Sequence, residues 1–311
     1  MNQYKKFLGR TDLVKNQVDR EKLAEQEAIS KKKRSIQQQN KQRWLKYQEQ
    51  LRSELAARYF HSVISAGGES FSNTKSLNFD GTDAYLEGAS NYTELDGQSK
   101  MTVSAWIKAG TLSSSSYLFA IGGGTNLFQV AVRLQSISST NARCFLYISQ
   151  ASNSRRSYAD LIGIKNDGAW HHLLVCLDLT QPGFSEAAFF LDGSQLTTNG
   201  YYTPTALENS GTALAIGNRE NPNTGLMVGN IDEFALWSGT DLRASAATIY
   251  NSGVPNDLNS NGLTAPNTWY RMGDAATIDG NDITIPDQIG SYNLTSEGMV
   301  AADVQEDTPG S

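Results

Sequence analysis

Polar and apolar positions alternate in two different rhythms along this chain. From Thr11-Asp12 to about Ser62 there is no proline and no glycine, and Lys, Arg, Gln, Glu, Ala and Leu dominate, all residues that favour a helix. Thr11 or Asp12 can cap its start, and Ala66-Gly67-Gly68 stops it. At about 1.5 Å per residue, roughly fifty such residues make a rod near 75 Å long. Its apolar positions are sparse as far as Ile36 and then thicken through Trp44, Leu45, Tyr47, Leu51, Leu55, Tyr59 and Phe60. Trp44, Leu51 and Leu55 share one face at spacings of seven and four, so oligomerisation, as a homotrimer, is expected through these three.

Beyond Gly67-Gly68 the period shortens to two. Short alternating runs are separated by Gly, Asn, Asp and Ser clusters, and all seven prolines lie in this part. The runs predict strands at 76–79, 84–87, 101–108, 117–122, 128–134, 143–149, 171–179, 187–191, 213–216 and 231–237. In 101–108, Met101, Val103, Ala105 and Ile107 point one way and Thr102, Ser104, Trp106 and Lys108 the other. Helical periodicity returns briefly over 241–251. The expected fold is mainly β: an antiparallel jelly-roll sandwich over 75–311, preceded by a long N-terminal α-helix over 1–66 and a linker over 67–74.

Charge divides the chain at the same place. Residues 1–60 hold fifteen Lys/Arg against seven Asp/Glu, and residues 61–311 hold eleven against twenty-five, so the overall −6 hides a basic rod and an acidic remainder. Docking of the basic helix on an acidic protein surface competes with a merely solvated face. The run Lys31-Lys32-Lys33-Arg34 has no interleaved aromatics, so nucleic acid is not an expected partner. The first thirty residues lack the apolar core of a signal peptide, and no stretch approaches a membrane span. Synthesis in the cytoplasm, without secretion by a signal peptide, is expected. Cys144 and Cys176 then read as buried free thiols.

Recognisable chemistry is scarce. The run "WHHLLVCLD" at 170–178 raises a metal or catalytic site, but a strand places His171 and His172 on opposite faces, and only His61 remains elsewhere. Hydrogen-bonded structural histidines are expected. "IGGGTN" at 121–126 lacks the lysine of a phosphate cradle and reads as a hairpin loop. "DLNSNG" at 257–262 begins like a calcium loop, but its twelfth position is Thr268 rather than a bidentate Glu, so a turn is expected.

Taken as an ordered set, "LNFDGTDAYLEG", "MTVSAWIKA", "GAWHHLLVCLD", "AFFLDGSQL", "NIDEFALW" with "LRASAATIYNSG", and "TWYRMGD" resemble the laminin-G-like, concanavalin A-like jelly-roll family over about 75–275. "TIPDQIGSYNLTSEG" looks like its closing edge strands. The resemblance implies that Trp-His-His opens a core strand after the Asp167-Gly168 turn. It also suggests a structural Ca²⁺ at the sheet rim, for which Asp80, Asp83 and Asp232 stand in the matching motifs, against the plainer reading of Asp80-Gly81 as a turn. Glucanases of this fold carry alternating carboxylates. The nearest match here, Glu94 and Asp96, runs on into Gly97, Gln98 and Ser99, so no enzyme is expected. Glycan binding would need exposed aromatics, with Tyr201 and Tyr202 as candidates and Tyr158 and Trp237 behind them. The architecture resembles bacteriophage structural proteins. The expected function is a non-enzymatic virion component, a capsid decoration or head or tail fibre, docked on a capsid or tail protein through residues 1–45 and displayed on the virion surface. The alternative is a multimeric glycan-binding adhesin.

Overall fold

The computed structural model describes residues 31–32, 71–112, 115–122, 130–150, 153–182, 185–201, 206–207, 212–218 and 225–310. The expected N-terminal helix, with Trp44, Leu51 and Leu55, lies outside them apart from Lys31 and Lys32, which are helical and exposed. The chain divides into two units between Ser70 and Phe71.

The second unit is an antiparallel sandwich of two sheets, with strands numbered along the chain. The first sheet has the order β10 (Ser194–Gln195), β9 (Ala187–Leu191), β8 (His171–Asp178), β3 (Lys100–Ala109), β13 (Val228–Ser238), β1 (Ser76–Asp80) and β18 (Val304–Gln305), with β14 (Thr268–Tyr270) beside the later half of β13. The second runs β11 (Asn199–Tyr201), β7 (Asn153–Leu161), β6 (Ala142–Gln150), β5 (Val130–Ser136), β4 (Ser116–Ile121), β12 (Leu214–Ile216), β2 (Tyr85–Gly88), β17 (Leu294–Glu297), β16 (Asp282–Ile285) and β15 (Thr277–Asp279). All these pairings are antiparallel, as period-two strands joined by tight turns require.

Alternation explains the layers. Met101, Val103, Ala105 and Ile107 of β3 enter the inter-sheet core with Leu173, Val175 and Leu177 of β8, Ile231 and Phe234 of β13, and Val130, Val132, Cys144 and Leu146 from the second sheet. The opposite face of the first sheet is buried as well. Leu174, Cys176, Phe190, Ala235 and Trp237 meet Leu242, Ala246, Ile249, Leu258 and Trp269 from the segment that follows β13. That segment contains a 3₁₀ turn at Arg243–Ser245 and the short helix α1 (Ala246–Tyr250), where helical periodicity is expected. Thr102, Ser104 and Trp106 are therefore buried although they face away from the main core. Trp237 is 0 % exposed and donates its indole N–H to the Thr264 carbonyl at 2.7 Å, which corrects its reading as a sugar-stacking candidate.

The first sheet has one irregularity near its centre. The β3–β13 register shifts between Asp232 and Ala235, a bulge that inserts one extra residue, with Glu233 in the left-handed region at φ 49°. Cys144 and Cys176 are free and buried, on different sheets. Burial raises both thiol pKa values above the ordinary range, so both stay protonated and inert.

Candidate functional site

The outward face of the second sheet carries an interleaved set of arginines and aromatic rings. Ala131, Arg133 and Gln135 of β5 alternate with core residues, as do Arg143, Phe145 and Tyr147 of β6 and Arg156, Tyr158 and Asp160 of β7. Register lines them into rows: Arg133 opposite Phe145 opposite Tyr158, and Ala131 opposite Tyr147 opposite Arg156. The Arg133 guanidinium lies 4.7 Å from the Phe145 ring centre and 4.9 Å from that of Tyr147, and Arg143 lies 4.3 Å over Tyr158. The Arg156 guanidinium lies 5.4 Å from the centre of the Phe145 ring. Such stacking orders a long side chain and leaves its N–H edge available for bonding.

These arginines are not equivalent. Arg143 is clamped by Asp160 through Nε at 2.6 Å and Nη2 at 3.1 Å, a bidentate pair that fills its fork. Arg133 donates instead to the Gln135 side-chain carbonyl at 3.0 Å and to the Ser115 hydroxyl at 3.4 Å. Its Nε is buried without a partner among the described residues. Arg156 is exposed. Among the described residues neither Arg133 nor Arg156 makes an ion pair, unlike Arg143 with Asp160. Phe145 and Tyr147 are themselves buried, so the face offers guanidinium donors with Tyr158 as its half-exposed ring.

Of the sequence-expected glycan residues, Tyr201 ends β11 opposite Arg156, which places it at the edge of this array. Tyr202 lies outside the described residues. Tyr158 belongs to the array, half-buried beneath Arg143. Arg133, Phe145, Tyr147 and Arg156 are the residues that sequence reasoning missed. Their signal was the alternation Arg143-x-Phe145-x-Tyr147, continued by Arg156-x-Tyr158 in a run too polar to suggest a strand.

His171 and His172 do fall on opposite faces. His171 sits between two carboxylates, with Nδ1 2.7 Å from Asp192 and Nε2 2.9 Å from Asp167. The hydrogen bond to Asp192 is the main reason its pKa rises to about 9, with Asp167 adding to it against the opposing effect of burial. His172 is buried beneath Trp106, with ring centres 5.0 Å apart, and its Nε2 meets the Ser104 hydroxyl at 2.8 Å. Burial lowers its pKa to about 4. A serine beside a histidine is the start of a nucleophilic pair, but both side chains here are closed in beneath the second apolar layer.

The acidic residues are scattered. Asp80 Oδ1 accepts the amide of Thr82 at 2.7 Å and, at longer range, those of Asp83 and Ala84; burial tends to raise its pKa, but these amides bring the net value below the ordinary one. Asp83 is exposed, and Asp232 lies in the bulge. Since Asp80 opposes Val228 in the β1–β13 register, Asp232 lies four residues away, about 13 Å along the strand. The structure thus does not bring Asp80, Asp83 and Asp232 together, and among the described residues no group of three or more His, Cys, Asp or Glu is placed to hold a metal ion. Asp257 caps its own turn through the Asn259 amide and the Ser260 hydroxyl. Asp96-Gly97 is also a turn, with Gly97 at φ 72°.

Asp232 and Glu233 form a buried acidic pair. Burial drives both pKa values up, Glu233 to about 7, and Arg271 counters this for Glu233 through a bond at 3.1 Å. Trp269 donates to the other Glu233 oxygen at 2.6 Å, and Asn73 donates to Asp232 at 3.0 Å. Phe71 stacks on Trp269 with ring centres 6.0 Å apart, and Arg271 lies 4.2 Å from the Phe71 ring. The cluster fastens the start of the sandwich onto β13 and β14.

Comparison with known proteins agrees with this architecture. No curated protein sequence matches the chain. Among solved structures, a putative carbohydrate-binding protein from Bacteroides ovatus superposes with a TM-score of 0.51 at 14% identity, covering 77% of this chain and 62% of its own. A heptameric SAP-like pentraxin from Limulus polyphemus superposes at 0.46 with 16% identity, over 57% of this chain and 82% of its own. Tailspike protein 2 of an Escherichia coli O157:H7 bacteriophage reaches 0.38 at 13% identity, over 60% of this chain and 28% of that one. The sequence profile of the concanavalin A-like lectin/glucanases superfamily matches residues 80–245. With over half of its length matched and a two-sheet sandwich around that match, the chain belongs to the concanavalin A-like lectin/glucanases superfamily, in its laminin-G-type branch.

Proposed function

We propose that this chain is a non-enzymatic virion surface protein. In this reading residues 1–45 dock it on a capsid or tail protein, the segment around Trp44, Leu51 and Leu55 gathers copies, and the sandwich is displayed. The observation that carries the reading is the division of charge: fifteen basic against seven acidic residues over 1–60, ahead of an acidic remainder. The sandwich meanwhile fills its core and its outer apolar layers from its own residues, from Phe71 onward. A basic segment followed by a self-sufficient acidic module suits attachment and display. Deleting residues 1–45 is expected to abolish incorporation into particles while the sandwich melts unchanged. Incorporation that survives the deletion refutes the proposal.

A second reading, a multimeric glycan-binding adhesin, is favoured by the arginine-aromatic face of β5, β6 and β7. Guanidinium donors held over buried rings are suited to the anionic groups of an acidic saccharide. The fold is shared with the putative carbohydrate-binding protein from Bacteroides ovatus. Under this reading, glycan-array binding falls at least about ten-fold, or about 1.4 kcal/mol, in Arg133→Ala and Arg156→Ala. It also falls when Tyr201 and Tyr202 are both changed to alanine. An array with no positive glycan counts against it.

A further inference from the structure

The second apolar layer, between the first sheet and the segment after β13, contains a polar pocket. Leu174, Trp237, Ile249 and Leu258 belong to that layer. Within it, Ser104, His172, Glu233 and Asn256 border a cavity of about 10 Å³, with Ile249 and Leu258 among its apolar walls. β3, β8 and β13 supply the first three polar residues, and the chain beyond α1 supplies Asn256. A space of that size holds about one water molecule.

A polar group sealed from solvent finds a partner or costs free energy, and this cluster leaves two atoms over. His172 is 1 % exposed. Its Nε2 meets the Ser104 hydroxyl at 2.8 Å, whereas its Nδ1 has no partner among the described residues. Asn256 donates through Nδ2 to the Thr248 carbonyl at 3.4 Å, which assigns the orientation of its amide. Its Oδ1 is likewise sealed without a partner among the described residues. Glu233 accepts on one oxygen from Arg271 and on the other from Trp269, and a carboxylate oxygen can accept a second bond. Two orphaned atoms and a carboxylate with spare capacity, on residues that border one water-sized cavity, meet the two-to-four-partner requirement of an internal hydration site.

We propose that this cavity binds one structural water, which accepts from the His172 Nδ1–H and donates to the Asn256 side-chain carbonyl and the Glu233 carboxylate. With these three partners the hydrogen count allows only this arrangement. Asn256 Oδ1 and an ionised Glu233 are both acceptors and use both water hydrogens, so His172 is the donor. Burial keeps His172 neutral, with its pKa lowered to about 4. It therefore carries a single N–H, and that proton sits on Nδ1. Nε2 is then free to accept from the Ser104 hydroxyl. The water ties three strands of the first sheet to the segment that covers them, and it fixes the tautomer of a histidine. Neither reading of the chain's function is needed for it.

The test is histidine ring nitrogen NMR of the full chain at about pH 8, where Glu233, with a pKa of about 7, is mostly ionised. A crystal structure fine enough to show ordered water accompanies it. His172, recognised by the signals lost in His172→Asn, is expected to show a protonated Nδ1 and an unprotonated Nε2. His171, whose pKa is about 9, stays mostly protonated on both nitrogens and serves as the internal reference. Density for one water is expected within about 3.2 Å of His172 Nδ1 and of Asn256 Oδ1. Asn256→Leu, similar in size but without the acceptor, should lose both that density and the water cross-peak to the Nδ1–H. If Asn256→Leu fails to fold, the tautomer and the density in the parent chain decide the matter. A dry cavity, an Nε2–H tautomer of His172, or a water that persists in Asn256→Leu overturns the proposal.

Discussion

Two adjacent histidines on β8 titrate in opposite directions, and each direction has a consequence for stability. His171 is raised from 6.5 to about 9 by Asp192 and Asp167, so its contribution is complete below about pH 6.5 and disappears as pH climbs to about 9. His172 is lowered from 6.5 to about 4 by burial, so its contribution is present above pH 6.5 and is lost as pH falls through about 4. The two contributions are both complete only near pH 6.5. Melting temperatures of His171→Gln are expected to lose the alkaline decline between pH 6.5 and 9, and those of His172→Asn the acid decline between 6.5 and 4. A pH profile left unchanged by both substitutions contradicts these assignments. Arg271 poses a separate residue-scale problem, because it is the cation beside the buried Glu233 at the bulge. Arg271→Ala leaves that charge uncompensated, and the denaturation midpoint should fall by an amount equivalent to about 3 kcal/mol. A change within experimental error would mean that Glu233 is already neutral.

At the scale of elements, β11 depends on one glycine. Gly200 has φ 96°, and a Cβ there would come within 2.3 Å of the Arg156 carbonyl. Gly200→Ala should therefore unpair β11 from β7, at a cost of about 2 kcal/mol, and amide exchange at Arg156 and Tyr158 should accelerate while the β3 amides stay protected. The same edge marks where the sequence stopped being readable. Strands with large apolar residues on their inward side, such as 101–108, 171–179 and 187–191, were legible to within about a residue or two. β7 was not, because its inward positions Ser157 and Ala159 are small and its outward positions Arg156, Tyr158 and Asp160 are polar or amphipathic. With β7 unread, the arginine face could not be assembled, although its rings stood in plain view at Phe145 and Tyr147. Burial on both faces of the first sheet was equally hidden, since Thr102 and Ser104 look solvent-facing until the segment after β13 covers them.

For the whole molecule, the division of charge gives a prediction of its own. Attachment through a basic segment to an acidic partner weakens as salt rises, because the screening length shrinks from about 10 Å at 0.1 M to about 3 Å at 1 M. Release of the chain from particles by about 1 M sodium chloride, with the melting of the sandwich unchanged, is the expected result. Retention in high salt points instead to apolar anchorage around Trp44, Leu51 and Leu55. The calcium candidates show the limit of motif reading at this scale: Asp80 and Asp232 stand in the correct family motifs, but strand register separates them. Trp106, Trp170, Tyr250 and Asp307 show the reverse case, because they are spread over some two hundred positions and come to border one cleft only through the fold. Finally, Ser76 pairs with Gln305, and the Asn73 carbonyl accepts from the Thr308 hydroxyl, so the backbone enters and leaves the sandwich side by side. A module built this way can be spliced into a surface loop of an unrelated carrier without stretching either junction.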